Sequence, residues 1–305
     1  MNKNEDSIGI ALGGGGALGL AHIGVIKALE EYGLDPAVIS GTSAGAIIGG
    51  MYCKGIEINK IEEIANSINR IKTLNLFSPK LQKGGIIDDE NIINFLEEYM
   101  GETRIEDLDK KFVTVSVDIN SGDIIYINEG SLVAAIRASI SIPGIFLPYK
   151  SNGKLYVDGG LRSNLPLKVL DNYDPDHTIG VNVLKNSKIS MQSHYSTIEL
   201  KSEAERNGSP NFIDKINQYM NSDKNNNDNT SIPPLIRSLF NSIQILLAET
   251  SQKEIEIVDP ELVIDIDVSK FHMWEFWKSE EIINIGYQNT LNNLQNSDFI
   301  NKLKP

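Results

Sequence analysis

The chain has 305 residues, enough for one large α/β domain with embellishments or for two ordinary domains. Hydrophobic residues make up 41% and charged residues 23%, near globular averages, which excludes a wholly disordered, collagen-like or membrane-spanning chain. With 28 Lys and Arg against 41 Asp and Glu the formal charge is -13, so the overall field repels nucleic acid phosphate and anionic bilayers, and any lipid contact must be local and apolar.

The single cysteine, Cys53, excludes an internal disulfide and cysteine-rich zinc sites. The N-terminal stretch holds Lys3, Glu5 and Asp6 and too short an apolar run for a secretory signal. The longest apolar stretch, residues 44–52, is about half of the roughly 20 residues that a membrane helix needs. These features favour a cytoplasmic location.

Residues 7–12 read as a short buried-type strand that runs into Gly13-Gly14-Gly15-Gly16, after which Leu20, Ile23, Ile26 and Leu29 recur at helical spacing as far as Gly33. Residues 38–40 are β-prone, Gly41-Thr42-Ser43-Ala44-Gly45 turns sharply, and residues 46–54 continue as a small-residue helix ended by Gly55. Ile58, Ile61, Ile64, Ile68 and Ile71 predict one amphipathic helix, and Ile92, Ile93, Leu96, Tyr99 and Met100 a second after Asp88 and Asp89. Val113, Val115, Val117 and Ile119 alternate with polar residues, and Asn120-Ser121-Gly122-Asp123 turns them into a second strand, giving a hairpin. Ser131 caps a helix through Ala138, and a strand near residues 155–157 ends on Asp158-Gly159-Gly160. A further strand is expected at 178–184.

Residues 185–232 are polar and asparagine-rich and read as a mobile insertion. Order returns with a helix at 234–249, a strand near 262–266, the aromatic segment FHMWEFW and a terminal helix at 279–294. The expected fold is therefore a three-layer α/β/α domain with a mainly parallel sheet, its core spanning 7–184, with helical embellishments and a strand packing on it from 233–296.

The strongest chemical signal is Gly41-Thr42-Ser43-Ala44-Gly45, because a glycine-flanked strand-to-helix turn can hold a strained backbone and push one hydroxyl outward. The plain alternative is a small-residue turn packed on the sheet. A serine nucleophile needs a base, and Asp158 stands at a strand end before Gly159 and Gly160; an aspartate of ordinary pKa near 3.9 is a poor base unless desolvated. The glycine loop offers backbone N–H groups at a helix N-terminus, with Gly14, Gly15 and Gly16 as oxyanion donors. The same loop also satisfies Gly14-x-Gly16-x-x-Gly19, a dinucleotide fingerprint, but the carboxylate expected after the second strand is replaced by Gly41-Thr42-Ser43, and Asp35 precedes that strand.

GGGGALGLAHIGVIKALEEYGL at 13–34, GTSAGAIIGGMY at 41–52, AIRASISIPGIFLPY at 135–149 and VDGGLRSNLP at 157–166, in that order, closely resemble the patatin-like phospholipase family. The resemblance runs with interruptions over residues 8–183, and the tail 262–294, including FWKSEEIINIGY, resembles the bacterial branch. It implies a serine acyl hydrolase acting on phospholipid or lysophospholipid esters through a Ser-Asp dyad and an acyl-enzyme, with Ser43 as nucleophile, Asp158 as base and Gly14, Gly15 and Gly16 as the oxyanion hole. Gly19, Gly41, Gly45, Gly159 and Gly160 match the glycines that support these motifs. No metal or cofactor is implied; the implied partner is a lipid ester, with room for transient contact with a membrane or micelle surface. The family usually carries Arg or Lys where this chain has Leu18, which cannot supply bidentate hydrogen bonds. A lipid-binding protein with a weakened hydrolase site, or a dinucleotide-binding oxidoreductase, are the alternatives.

Four histidines, His22, His177, His194 and His272, invite a triad but are expected on surfaces or in packing. Phe271, Trp274 and Trp277, and the apolar face Leu235, Leu239, Phe240, Ile243, Leu246 and Leu247, read first as core and second as an acyl pocket or a lid.

Overall fold

The computed structural model describes residues 6–76, 90–185 and 234–303. Asp88 and Asp89, and the insertion apart from Lys185, lie outside them.

The first strand, β1 (Ile8–Leu12), is buried on both faces, as expected for a central parallel strand with helices above and below. A short 3-10 turn (Gly16–Leu20) leads into α1 (Ala21–Glu31), and β2 (Val38–Gly41) leads into α2 (Ala44–Cys53). After α3 (Ile58–Asn66), α4 (Arg70–Leu76) and α5 (Glu90–Met100) come the hairpin strands β3 (Lys111–Asp118) and β4 (Ile124–Ile127). Then follow α6 (Leu132–Ser139), β5 (Tyr149–Ser151), β6 (Lys154–Asp158) and β7 (His177–Asn182). The chain closes with α7 (Pro234–Val258), β8 (Leu262–Asp265), α8 (Ser279–Asn296) and α9 (Phe299–Lys302).

Eight described strands form one sheet in the order β5-β6-β3-β2-β1-β7-β8, with β4 also paired to β3. Strands β3, β2, β1, β7 and β8 run parallel, and the hairpin partner β4 with β6 and β5 extends the sheet antiparallel at one end. The expected mainly parallel sheet is present. Side-chain alternation divides the interior in two: Ile10, Leu12 and Ile39 enter a large core under α1, α2, α6 and α8, whereas Ala11 and Val38 enter a smaller one with Leu165, Leu167 and Leu170. These are the two sides of a three-layer domain. Two polar residues inside β3, Thr114 and Ser116, are fully buried, because both faces of the strand are covered there.

One expectation is corrected. The isoleucine series from Ile58 to Ile71 is two helices, because local side-chain hydrogen bonds compete with the helical ladder at the break. The Ser67 hydroxyl donates to the Ile64 carbonyl at 2.7 Å, and Asn69 Oδ1 accepts the Lys72 N–H at 2.9 Å, capping the second helix. Ile71 consequently faces solvent at 69% exposure. Strand β5 was not expected. Helix α7 runs on to Val258, and Ile243 and Leu247 join the main core while Leu246 is exposed. No helix among the described residues is long and apolar enough to cross a membrane.

Candidate active site

Ser43 stands between β2 and α2 with φ 53° and ψ -118°, a backbone conformation that costs a non-glycine residue of order 1–3 kcal/mol. The glycines on either side make the turn sterically feasible. A Cβ on Gly45 would fall 2.1 Å from the Leu12 carbonyl oxygen, and one on Gly41 would fall 2.6 Å from the Gly45 carbonyl oxygen. Gly19 gives room on the other side, since its Cβ would meet that of Ala44 at 2.4 Å. The strain is held in place by hydrogen bonds: the Ser43 N–H donates to Ser139 Oγ at 2.9 Å, and the Thr42 hydroxyl donates to the Ser163 carbonyl at 2.9 Å.

Asp158 ends β6, opposite Ser116 of β3, and is buried with its carboxyl toward Ser43. Its N–H donates to the Ser141 carbonyl at 3.0 Å, and its Oδ1 accepts the Gly160 N–H at 2.8 Å. Burial pushes its pKa from 3.8 up to about 7, against the opposing pull of the Gly160 N–H and the Ser43 hydroxyl. Its Oδ2 is sealed from solvent and has no hydrogen-bond partner among the described residues. Gly159 is needed for close approach, since a Cβ there would lie 2.3 Å from the Val115 carbonyl oxygen, and one on Gly160 would meet Leu247 at 2.4 Å.

The glycine loop lies beside the elbow, where a Cβ on Gly14 would come within 3.2 Å of that of Ser43. Its amides are not equivalent. The Gly13 N–H donates to the Val181 carbonyl at 3.1 Å and the Gly14 N–H to the Asn164 carbonyl at 3.0 Å. Expectation and structure part here: Gly14 has spent its amide on holding the loop and has none to offer an oxyanion. Gly15 and Gly16 donate to no acceptor among the described residues. Gly16, at φ 57°, lines the same pocket as Ser43. Fully buried His22 donates from Nε2 to the Gly13 carbonyl at 2.7 Å, and burial pushes its pKa from 6.5 down to about 4, so the ring is neutral.

The pocket is an almost wholly apolar cleft with about 840 Å³ of empty space, its open mouth included. Ile47, Ile48 and Met51 of α2, Ile61, Ile64 and Ala65 of α3, Ile140, Ile142 and Phe146 after α6, and Phe276 surround it, with Ser43 the polar group in its wall. From the aromatic segment it is therefore Phe276 that reaches the pocket; Phe271 is in the core, and Trp277 lies under the Arg70 guanidinium at 4.8 Å. His272 stacks on Trp274 at 4.8 Å, and His177 contacts Asp6 at 3.2 Å. His194 lies outside the described residues.

Several contributing residues had no assigned role in the sequence. Ser139 and Ser141 orient the two candidate reacting residues, and buried Arg137 locks their segment, donating to Ser141 Oγ at 2.6 Å and stacking on Phe146 at 5.0 Å. The readable signal was three polar residues in the apolar run AIRASISIPGIF. Leu18 is buried in the main core, a place where a guanidinium would need a partner. A dinucleotide fits poorly: the Ala17 N–H at the helix start donates to the Met273 carbonyl at 2.8 Å, and Asp35 is paired with Lys110 at 2.6 Å.

The strained Ser43 turn and Gly16 of the glycine loop meet at the apolar cleft, with the buried Asp158 carboxyl toward Ser43, on a mainly parallel α/β/α fold. The patatin-like phospholipase family model matches residues 10–171, and the chain belongs to that family. It is 38% identical over 181 residues to an uncharacterized NTE family protein of Mycobacterium bovis, covering 59% of this chain and 50% of that one. It is also similar to the neuropathy target esterase sws of Drosophila melanogaster, at 32% identity over 183 residues, 58% of this chain and 13% of the relative. A lysophospholipase of Candida albicans is 31% identical over 183 residues, 59% of this chain and 13% of the relative. The chain thus spans half or less of the length of these relatives.

Proposed function

We propose that the protein is a serine acyl hydrolase that cleaves carboxylic esters of phospholipids or lysophospholipids by a Ser43-Asp158 dyad. The observation that carries this reading is the placement of a strained serine in the wall of an apolar cleft, next to a buried aspartate whose proton affinity is raised to about 7. The names of the fly and yeast relatives, an esterase and a lysophospholipase, agree with it.

In this mechanism Ser43 Oγ attacks the ester carbonyl carbon while Asp158 takes the hydroxyl proton. The carbonyl oxygen becomes an oxyanion held by the Gly15 and Gly16 N–H groups at the start of the following helix. Collapse of the tetrahedral intermediate expels the alcohol, which takes the proton from Asp158 and leaves Ser43 acylated. A water then attacks the acyl carbon as Asp158 accepts its proton, and a second collapse, in which Asp158 gives that proton to the departing Ser43 Oγ, restores the serine hydroxyl and releases the fatty acid. The apolar cleft takes the acyl chain, each buried methylene being worth about 0.8 kcal/mol. Substrate contact at a membrane or micelle surface is transient.

The test is hydrolysis of a short p-nitrophenyl ester, then of lysophospholipid and diacyl phospholipid, by wild type, Ser43→Ala and Asp158→Asn with chelator present. Loss of activity in both folded variants supports the dyad, and the ratio between the two lipid classes assigns the substrate type. A wild type that copurifies with fatty acid yet turns over none of the esters would replace the reading by lipid binding, with buried Leu18 as the residue in place of the family's usual cation.

A further inference from the structure

Helix α7 follows the core in sequence, yet one of its faces reaches the centre of the site. Ser251 Oγ accepts from Asn164 Nδ2 at 2.9 Å, Glu254 Oε2 accepts the Ser163 hydroxyl at 2.8 Å, and the Thr250 hydroxyl shares its one proton between the Gly160 carbonyl at 3.1 Å and the Leu247 carbonyl of its own helix at 2.9 Å. Residues at these spacings share a helix face. Two of their targets, Ser163 and Asn164, are consecutive residues that serve different arms of the site. The Ser163 carbonyl holds Thr42, one residue before Ser43.

Asn164 grips Gly14 from both sides. Its carbonyl accepts the Gly14 N–H at 3.0 Å, and its Nδ2 donates to the Gly14 carbonyl at 3.3 Å. The side chain fills the gap between the two loops, for a Cβ on Gly14 would fall 2.5 Å, and one on Gly160 2.7 Å, from Asn164 Oδ1. The orientation of its carboxamide is chemically fixed. The Ser251 hydroxyl spends its proton on the Leu247 carbonyl at 3.0 Å, so both groups facing Asn164 are acceptors and only the NH2 satisfies them. Asn164 and Ser251 are each 1% exposed, so the pair is shielded from bulk solvent.

We infer that Asn164, braced by Ser251, is a positioning residue: it fixes the Gly14 peptide so that the next two amides, Gly15 and Gly16, face Ser43, which makes α7 an arm of the oxyanion site. The inference rests on the acyl-hydrolase reading for its kinetic consequence and on hydrogen bonding alone for its structural one.

The experiment compares wild type, Asn164→Ala, Ser251→Ala and the double variant, with Ser43→Ala as the null and Ile257→Ala, on the exposed side of α7, as the control. Asn164→Ala is expected to lower kcat about 100-fold with KM within about twofold, and Ser251→Ala about tenfold. Because Ser251 acts through Asn164, the double variant should be no slower than Asn164→Ala alone; multiplying losses, or losses confined to KM, would overturn the inference. Hydrogen exchange of the amides at 13–18, measured on the same folded proteins, should accelerate in Ser251→Ala and not in Ile257→Ala. If wild type shows no Ser43-dependent hydrolysis, the acyl-hydrolase reading falls and exchange alone decides. Exchange unchanged by Ser251→Ala overturns the bracing whatever the activity.

Discussion

The side-chain oxygen of Ser139 accepts the backbone N–H of Ser43 at 2.9 Å, tying the last residue of α6 to the elbow. Two residues further on, the Ser141 carbonyl accepts the Asp158 N–H at 3.0 Å, so one short segment sets the separation of both candidate reacting groups. Ser139→Ala leaves a buried N–H without an acceptor, an expected loss of about 1–3 kcal/mol in denaturant unfolding. It should also lower kcat more than it raises KM. A variant as stable and as active as wild type would show that the strained backbone at Ser43 holds itself.

Asp158 sets opposite demands on stability and activity. Its folded-state pKa is raised from 3.8 to about 7, so as pH climbs through that interval the unfolded chain gives up the proton first and the folded state loses stability. Asp158→Asn should therefore unfold at a higher temperature than wild type at pH 8, with the difference shrinking toward pH 4. As a base the carboxyl must be ionised, so wild-type kcat/KM should rise with pH to a plateau with a midpoint near 7. A flat profile from pH 5 to 9 would remove Asp158 from the role.

His22 has the opposite sign. Its folded-state pKa is lowered from 6.5 to about 4, so its contribution is fully present above pH 6.5 and is lost as pH falls and the unfolded chain alone takes up a proton. At about 1.4 kcal/mol per pH unit this is worth roughly 3 kcal/mol by pH 4. His22→Gln keeps a donor for the Gly13 carbonyl and should flatten this part of the stability profile. Because Asp158 slopes the other way in the same window, each slope is read as a difference between wild type and variant.

The cleft sets a length scale for the acyl chain. Ala65 is a small residue in its wall, and Ala65→Trp fills space that a long chain would use. The expected result is a fall of at least about tenfold in kcat/KM for long-chain esters with short-chain esters little changed, measured on a p-nitrophenyl ester series. An equal loss at every chain length would place the acyl chain elsewhere.

Much of this architecture was legible because glycine punctuates it. Gly13 to Gly16 and the Gly41–Gly45 turn each mark a strand running into a helix, and Asp158-Gly159-Gly160 marks a third strand end, so the elements that carry the site were readable from local signals. The break after α3 was not, because the isoleucine spacing is uninterrupted and the break is marked by Ser67, bonding back to the end of one helix, and Asn69, capping the start of the next. The use of the Gly14 amide was equally hidden. Nothing near Gly14 in sequence shows that Asn164 will claim its N–H, and nothing near Ser43 shows that Ser139 will hold it. These are tertiary hydrogen bonds between residues whose local chemistry suits many partners.

Ser43 meets Ser139 across 96 residues of chain, Gly14 meets Asn164 across 150, and Asn164 meets Ser251 across 87. A chain that has formed only its helices has built no part of this constellation, and closing loops of such length is slow. During renaturation from urea, recovery of far-ultraviolet ellipticity should run ahead of recovery of esterase turnover, making enzymatic competence a late reporter of the completed topology.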